Sequence, residues 1–177
     1  MVLKFGGTSV ADVPQIKKIA LKVKKEVNQG NKVIVVVSAM AGVTNHLIDL
    51  VKTTSETPSF SEYDVVLSTG EQITSALLAT ALKNLNIKAR SWLGWQVPIL
   101  SDNSHGKATI EEIKTENILE FFKKKEVAII SGFQGLSKEN RITTLGRGGS
   151  DTSAVAVAAA FSAERCDIYT DVDGVYT

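Results

Sequence analysis

Residues Val33 to Val37 form an unbroken apolar run in which every side chain is β-branched. A strand that is apolar on both faces is typical of a parallel sheet with helices on each side. Further short apolar runs alternate with segments whose apolar residues recur at the helical period. We predict strands at 2–5, 33–37, 87–91, 127–130 and 166–170, and helices at 13–28, 43–52, 63–85, 110–125 and 151–161. This alternation predicts an α/β fold, an αβα three-layer sandwich around a mainly parallel sheet.

Some local features are expected to depart from this regular pattern. Asp12 or Val13 is predicted to cap the first helix, with Pro14 in its first turn. The long helix at 63–85 is expected to be interrupted or to change direction near Thr69-Gly70. Residues 92–106 are expected to be irregular.

Composition excludes several classes of protein. The 177 residues are 44% hydrophobic and 22% charged, both near globular averages. A net charge of +1 argues against nucleic acid and membrane surfaces as partners. The apolar runs are too short to span a bilayer, and the N-terminus lacks the features of a secretory signal. Because Cys166 is the single cysteine, a reducing, cytoplasmic location is expected.

The first candidate ligand-binding loop is Lys4-Phe5-Gly6-Gly7-Thr8-Ser9, which follows the first predicted strand. Glycines let backbone N–H groups approach an anion closely, and a lysine adds positive charge. The loop is therefore either a phosphate cradle or a tight turn with a surface lysine. It does not match the P-loop, and neither it nor the later glycine cluster matches the dinucleotide-binding pattern.

The second candidate loop is Thr144-Leu145-Gly146-Arg147-Gly148-Gly149-Ser150-Asp151-Thr152. The guanidinium of Arg147 can bind a carboxylate or phosphate through two parallel hydrogen bonds. Ser150 or Asp151 is predicted to cap the following helix, whose N-terminus favours anions. The alternative is a capped glycine turn with an exposed arginine. Two anion sites on one sheet suggest phosphoryl transfer to an acid.

Other segments are less specific on their own. Glu71, in Ser68-Thr69-Gly70-Glu71, could receive an ammonium group or could be an ordinary solvated glutamate. The loop Ser38–Asn45 could line a pocket or cap a helix. His105 is expected to be an exposed loop histidine, with a position near the substrate as the alternative. The C-terminal Asp171-Val172-Asp173-Gly174 does not match a calcium loop, which leaves a nucleotide contact or a plain turn.

Taken together, these motifs resemble the aspartate kinases of the amino acid kinase family. The matching stretches are KFGGTSVAD at 4–12, VVVSAMAGVTN at 35–45, STGEQ at 68–72, GFQG at 132–135, TTLGRGGSDT at 143–152 and YTDVDGVYT at 169–177. The resemblance implies transfer of a phosphoryl group from ATP, with Mg²⁺ on its phosphates, to the β-carboxylate of L-aspartate. This is the entry step to lysine, methionine and threonine synthesis.

The resemblance also implies roles for single residues. Lys4 is the expected catalytic residue on the transferring phosphoryl group, and Asp151 either fixes Lys4 or contacts the substrate. No protein ligand set for a metal is expected. The nucleotide-binding residues are expected to be Lys4, Gly6, Gly7, Thr170, Asp171 and Tyr176. The aspartate-binding residues are expected to be Ser38, Thr44, Phe133, Gly148, Gly149 and Ser150, with Glu71 on the ammonium and Arg147 on the α-carboxylate.

Residues 1–177 are expected to be the N-terminal portion of the catalytic domain, C-terminally incomplete and without the regulatory domains. The family pattern further implies a homo-oligomer for the whole protein. Two alternatives stay open: an amino acid kinase with a different acceptor, and a catalytically incomplete nucleotide-binding fragment.

Overall fold

The computed structural model of the chain describes residues 1–124 and 126–170. The strands are β1 Val2–Phe5, β2 Ile34–Val37, β3 Ala89–Trp92, β4 Ile99–Ser101, β5 Ile110–Ile113, β6 Val127–Ser131, β7 Gln134–Ser137, β8 Ile142–Thr144 and β9 Cys166–Tyr169. The helices are α1 Val13–Asn28, α2 Val43–Thr54, α3 Phe60–Asn84, α4 Glu116–Phe122 and α5 Gly149–Ala160.

The central sheet has five strands in the order β3-β6-β2-β1-β9, and every pairing in it is parallel. Alternate residues along each strand point to opposite faces. One face packs Leu3, Val35 and Ile129 against buried residues of α1 and α3. The other face packs Val2, Val36 and Ile130 against buried residues of α4 and α5. The predicted three-layer αβα architecture is therefore confirmed.

The first helix begins where the sequence predicts. Asp12 is its N-cap, and the Asp12 side chain accepts a hydrogen bond of 2.8 Å from the backbone N–H of Gln15. Ile16, Ala20 and Val23 are buried against the sheet, as the helical spacing predicts.

The third helix runs without a break from Phe60 to Asn84, so the predicted interruption near Thr69-Gly70 is wrong. A side chain at Gly70 would place its Cβ 2.8 Å from the Cβ of Ala39. The glycine therefore allows the loop after β2 to pack on the helix. In length and composition α3 could span a membrane, but half of its most apolar window is buried within the protein.

A second sheet, in the order β5-β4-β7-β8, was not predicted. β4 lies within the stretch expected to be irregular, and the helix expected at 110–125 is β5 followed by α4. Ile110 and Ile113 have helical spacing, but both pack against the same core cluster from a strand. The pairing register shifts between Leu100 and Ser101, so β5 has one extra residue at this point. This extra residue places Ile110 and Ile113 on the same face of the sheet.

Candidate active site

The carboxyl ends of the parallel strands bring the predicted loops to one edge of the sheet. Backbone hydrogen bonds join these loops to one another. The N–H of Ser38 donates to the carbonyl of Phe5 at 3.1 Å, and the N–H of Gly132 donates to the carbonyl of Val37 at 3.0 Å. The loop after β2 therefore lies between the glycine loop after β1 and the loop after β6, at the edge that parallel α/β sheets favour for ligand sites.

Lys4 lies on β1 with only 5% of its surface exposed. Its Nζ lies 2.5 Å from Oδ1 of Asp151, in the first turn of α5. A Cβ at Gly6 would lie 3.4 Å from the same Nζ, so the ammonium group lies against the glycine loop. The buried cation is therefore held at the loop where a phosphate is expected.

The two glycines of this loop are not equivalent. The N–H of Gly6 already donates to the carbonyl of Tyr169 at 3.1 Å. In the described part of the chain the N–H of Gly7 has no backbone acceptor. A Cβ at Gly7 would lie 3.3 Å from the carbonyl oxygen of Ala39, tighter than most real contacts. Gly7 is thus the better placed donor to an anion, and Gly6 shapes the turn.

A cavity of about 280 Å³ opens at this edge of the sheet. This volume lies just below the usual range for ligand pockets, which begins at about 300 Å³. Predicted site residues from every loop except that of Thr170 meet in its wall. The lining residues are Gly7, Ser38, Ala39, Met40, Ala41, Gly42, Thr44, Glu71, Phe133, Gly146, Gly148, Gly149 and Ser150.

Glu71 is the charged side chain in this wall, and it is only 4% exposed. Its Oε1 accepts a hydrogen bond of 2.9 Å from the N–H of Ala39. Its Oε2 is buried and has no hydrogen-bond partner among residues 1–124 and 126–170. Burial raises the pKa of the Glu71 carboxyl to about 7, against the lowering effect of the Ala39 hydrogen bond. A buried carboxylate with an open oxygen is a strong site for a cation.

Ser38, Ser150 and Phe133 also line this cavity. The hydroxyl oxygens of Ser38 and Ser150 are 2.7 Å apart and share a hydrogen bond. Phe133 adopts a φ of 67°, and its N–H donates to the Ser153 hydroxyl at 3.0 Å. Such a conformation is unusual for a bulky residue and is found preferentially at ligand sites. A Cβ at Gly149 would lie 2.7 Å from Cδ2 of Phe133, so a glycine is needed there.

The predicted cap of α5 is wrong. The helix begins at Gly149, and its N-cap is Gly148 in the left-handed conformation, without a side-chain cap. Asp151 pairs with Lys4, and Ser150 pairs with Ser38. Both side chains therefore contact other predicted site residues, and glycine turns the chain because a left-handed φ carries little strain there.

Arg147 lies between two glycines of the cavity wall, but its own side chain is exposed and does not line the cavity. Within the described residues it forms no ion pair. Arg147 is thus adjacent in the chain to the cavity wall, and its exposed guanidinium is available to an anion.

The expected nucleotide contacts at the end of the chain are described only in part. Thr170 follows β9 at the same edge of the sheet and is exposed. Asp171 and Tyr176 lie outside the described residues. In the part of the chain that the structure describes, no three His, Cys, Asp or Glu side chains come together as a metal site.

Sequence reasoning missed a buried polar cluster around Asp64. The Asp64 carboxylate is fully buried and lies 2.7 Å from Nδ1 of His105 and 2.5 Å from Oγ1 of Thr144. The His105 side chain is 18% exposed, so the prediction of an exposed loop histidine is wrong. One signal was available: Asp64 precedes Glu71 by two helical turns and shares its buried face.

Comparison with known proteins agrees with the motifs. The sequence model of the amino acid kinase family matches residues 1–177. The chain is 56% identical over 180 residues to an aspartokinase of Rickettsia felis, covering 100% of the chain and 45% of that protein. It is 51% identical over 177 residues to an aspartokinase of Geobacillus stearothermophilus, covering 100% of the chain and 44% of that protein. The chain thus spans about half the length of these curated relatives.

Solved structures show the same likeness. Aspartate kinase from Synechocystis superposes with a TM-score of 0.83 at 45% identity, covering 97% of this chain and 28% of that one. Aspartokinase III of E. coli, solved with aspartate and ADP, superposes with a TM-score of 0.82 at 27% identity. That match covers 99% of this chain and 50% of the E. coli chain.

Proposed function

The chain belongs to the amino acid kinase family, and we propose that it is the N-terminal part of the catalytic domain of an aspartate kinase. The proposed reaction transfers the γ-phosphoryl group of ATP to the β-carboxylate of L-aspartate. Its products are ADP and 4-phospho-L-aspartate, the first intermediate of lysine, methionine and threonine synthesis. The relatives named aspartokinase and the E. coli structure with aspartate and ADP support this choice.

The observation that carries the proposal is the position of Glu71. Its open carboxylate oxygen is buried in the wall of a small cavity that also contains Gly7 of the phosphate-type loop. An ammonium group can satisfy this oxygen, and a carboxylate can reach Arg147 at the mouth. The pair suits the head of an α-amino acid, and the side chain of aspartate would then extend toward Lys4.

The chemistry needs no general base. An aspartate β-carboxylate is already an anionic nucleophile at neutral pH. One of its oxygens forms a bond to the γ-phosphorus, and the bond between that phosphorus and the β–γ bridging oxygen breaks, which releases ADP. The barrier lies in bringing two anions together, so positioning and charge neutralisation supply most of the catalysis.

Lys4 is the residue best placed to neutralise that charge. Its ammonium is buried beside the glycine loop and held by Asp151. In such a water-poor site a fixed cation stabilises developing charge more strongly than in water. Of the two roles expected for Asp151, this geometry favours holding Lys4.

The glycine loop fits a nucleoside triphosphate. Gly7 offers an N–H, and because it lacks a Cβ that would crowd the carbonyl oxygen of Ala39, its backbone can approach phosphate oxygens closely. Mg²⁺ would be held mainly by the phosphates and would supply further charge neutralisation when bound. Thr170, Asp171 and Tyr176 are proposed to contact the rest of the nucleotide.

Two wider expectations accompany this proposal. We propose a cytoplasmic location, because Cys166 is a free thiol and free thiols are ordinary in a reducing compartment. We also propose a homo-oligomer for the whole protein, on the family resemblance alone. Sedimentation velocity on the whole protein tests the second expectation.

The decisive experiment measures ADP release from ATP–Mg²⁺ with aspartate, glutamate, acetylglutamate or UMP as acceptor, using the full-length protein that carries this sequence. Hydroxylamine in a parallel reaction traps an acyl phosphate as a hydroxamate. We expect ADP release and hydroxamate with aspartate alone. Activity with another acceptor would identify that compound, rather than aspartate, as the substrate. ADP release without hydroxamate would exclude a carboxyl acceptor.

A further inference from the structure

Asp64 lies at the junction of three chain segments outside the cavity wall. It belongs to the first turns of α3, and its carboxylate is fully buried. One oxygen contacts the hydroxyl of Thr144, the last residue of β8, at 2.5 Å. Both oxygens accept from the N–H of Gly106 at 3.1 Å, and one also contacts His105 at 2.7 Å. We call residues 104–107 the His105 turn.

These contacts fully occupy the carboxylate. A buried carboxylate without partners would be costly, so hydrogen bonds from two other segments hold it in one position. Ala108 directly follows the His105 turn, and its N–H donates to the carbonyl of Thr144 at 2.8 Å, which further joins the turn to β8. The helix, the turn and the strand end therefore form one hydrogen-bonded unit.

This unit reaches the second glycine loop. Thr144 precedes Arg147 by three residues, with Gly146 between them. A Cβ at Gly146 would lie 3.4 Å from the carbonyl oxygen of Gly106 and 3.6 Å from Cα of Lys107. The His105 turn thus packs directly against the loop that carries Arg147, and Asp64 holds that turn.

The same helix carries Glu71. Asp64 and Glu71 are seven residues apart on the buried face of α3, which corresponds to about 10 Å along a rigid helix. One end of this segment holds the Arg147 loop through Asp64, and the other end presents the Glu71 carboxylate to the cavity. The helix therefore sets the separation between the two proposed binding groups.

We propose that Asp64 is a positioning residue that fixes the distance between Glu71 and Arg147, and so selects the ammonium-to-carboxylate spacing of an α-amino acid head group. This inference rests on the proposed function of Glu71 and Arg147. Asp64 itself touches neither substrate, and it acts through Thr144 and the His105 turn.

The test compares Asp64→Asn with Glu62→Gln in the full-length protein. Glu62 lies two residues away on α3, is exposed and pairs with Arg141 on the surface. We expect Asp64→Asn to raise the aspartate KM by about ten- to hundredfold, because small misplacement of a binding group is costly. The ATP KM should stay within about twofold, and Glu62→Gln should leave both constants unchanged.

A second pair of variants keeps the proposal testable if Asp64→Asn does not fold. Thr144→Val preserves the shape but removes the hydroxyl, and Thr144→Ser restores it. We expect a raised aspartate KM in the first and a value near wild type in the second. If Asp64→Asn folds, an aspartate KM within about twofold of wild type overturns the proposal; if it does not fold, the same result in Thr144→Val overturns it.

Hydrogen exchange separates this inference from the proposed function. Backbone amides of residues 104–107 and 145–149 should exchange faster in Asp64→Asn than in Glu62→Gln, whichever acceptor the enzyme uses. If wild type does not phosphorylate aspartate, the proposed function fails, and exchange alone decides whether Asp64 holds the loop. Unchanged exchange in Asp64→Asn would overturn that role.

Discussion

The ammonium of Lys4 and the carboxylate of Asp151 lie 2.5 Å apart, and this pair joins the first strand of the central sheet to the first turn of α5. Lys4 is buried, whereas the Asp151 side chain is 48% exposed. Solvent therefore reaches the pair mainly from the side of Asp151. An incoming phosphate could share the lysine without a large rearrangement of the strand.

Lys4→Ala should lower kcat by at least about a hundredfold, because it removes the cation that stabilises the transferring phosphoryl group. The aspartate KM should change little, since Lys4 does not line the cavity that contains Glu71. Steady-state kinetics with aspartate and ATP measure both constants. Lys18→Ala is the matched control, because Lys18 is an exposed lysine of α1. An unchanged kcat in Lys4→Ala would remove Lys4 from the mechanism.

Glu71→Gln should stabilise the substrate-free protein at high pH. Burial raises the pKa of the folded carboxyl to about 7 from its ordinary value of 4.5, so the folded state binds more protons between these values. The Glu71 contribution to stability is thus greatest below pH 4.5 and is lost as pH rises through 7. We expect a gain of about 1–3 kcal/mol at pH 8 and little gain near pH 4.5, measured by urea unfolding. A loss of stability at pH 8 would contradict this.

The same variant should lose affinity for aspartate. In wild type the aspartate KM should rise as pH falls below about 7, because protonation removes the charge that binds the ammonium. In Glu71→Gln the KM should be high and nearly independent of pH from 6 to 8. Initial rates over that range are the measurement, with Glu62→Gln as the exposed control on the same helix. If the KM of Glu71→Gln still depended on pH, a group other than Glu71 would be responsible for the pH dependence.

The sequence predicts the central sheet well because its signals are local. A run such as Val33–Val37 can be buried only between two layers, and Asp12 followed by Pro14 marks a helix start without any distant contact. The candidate loops follow from the same logic, since parallel strands place their carboxyl ends together.

The second sheet and the Asp64 cluster depend on distant contacts. Ile110 and Ile113 match a helical period, and only pairing with β4 decides that they form a strand. Gly70 suggests a break in α3, but its role is set by contact with Ala39. In the same way, the partners of Asp64 come from 41 and 80 positions further along the chain. Tertiary contact overrides local propensity at each of these positions.

Arg147→Ala should raise the aspartate KM by about tenfold or more, because a paired guanidinium–carboxylate contact contributes more than a neutral hydrogen bond. The ATP KM should remain near wild type. The comparison variant is Arg141→Ala, which removes an arginine of the same region that pairs with Glu62 on the surface. If the ATP KM rose while the aspartate KM stayed constant, Arg147 would belong to the nucleotide site.

Gly132→Ala should damage stability and substrate binding together. Its Cβ would lie 2.9 Å from Cβ of Ser150 and 3.0 Å from the carbonyl oxygen of Val37, so the start of α5 must move away from the end of β2. We expect a loss of about 1–3 kcal/mol, as for other overpacked sites, in urea unfolding.

The matched control for this variant is Gly30→Ala, because it too replaces a glycine but lies far from the site. Gly30 has a φ of 89° with nothing within 4 Å of an added Cβ, so its substitution costs only backbone strain, about 1–2 kcal/mol. Both variants should therefore be less stable, but Gly132→Ala alone should raise the aspartate KM. Its added methyl group displaces Ser150 from Ser38 and disturbs the wall that includes Phe133. An equal rise in both variants would show that lost stability, rather than the position of Ser150, governs substrate binding.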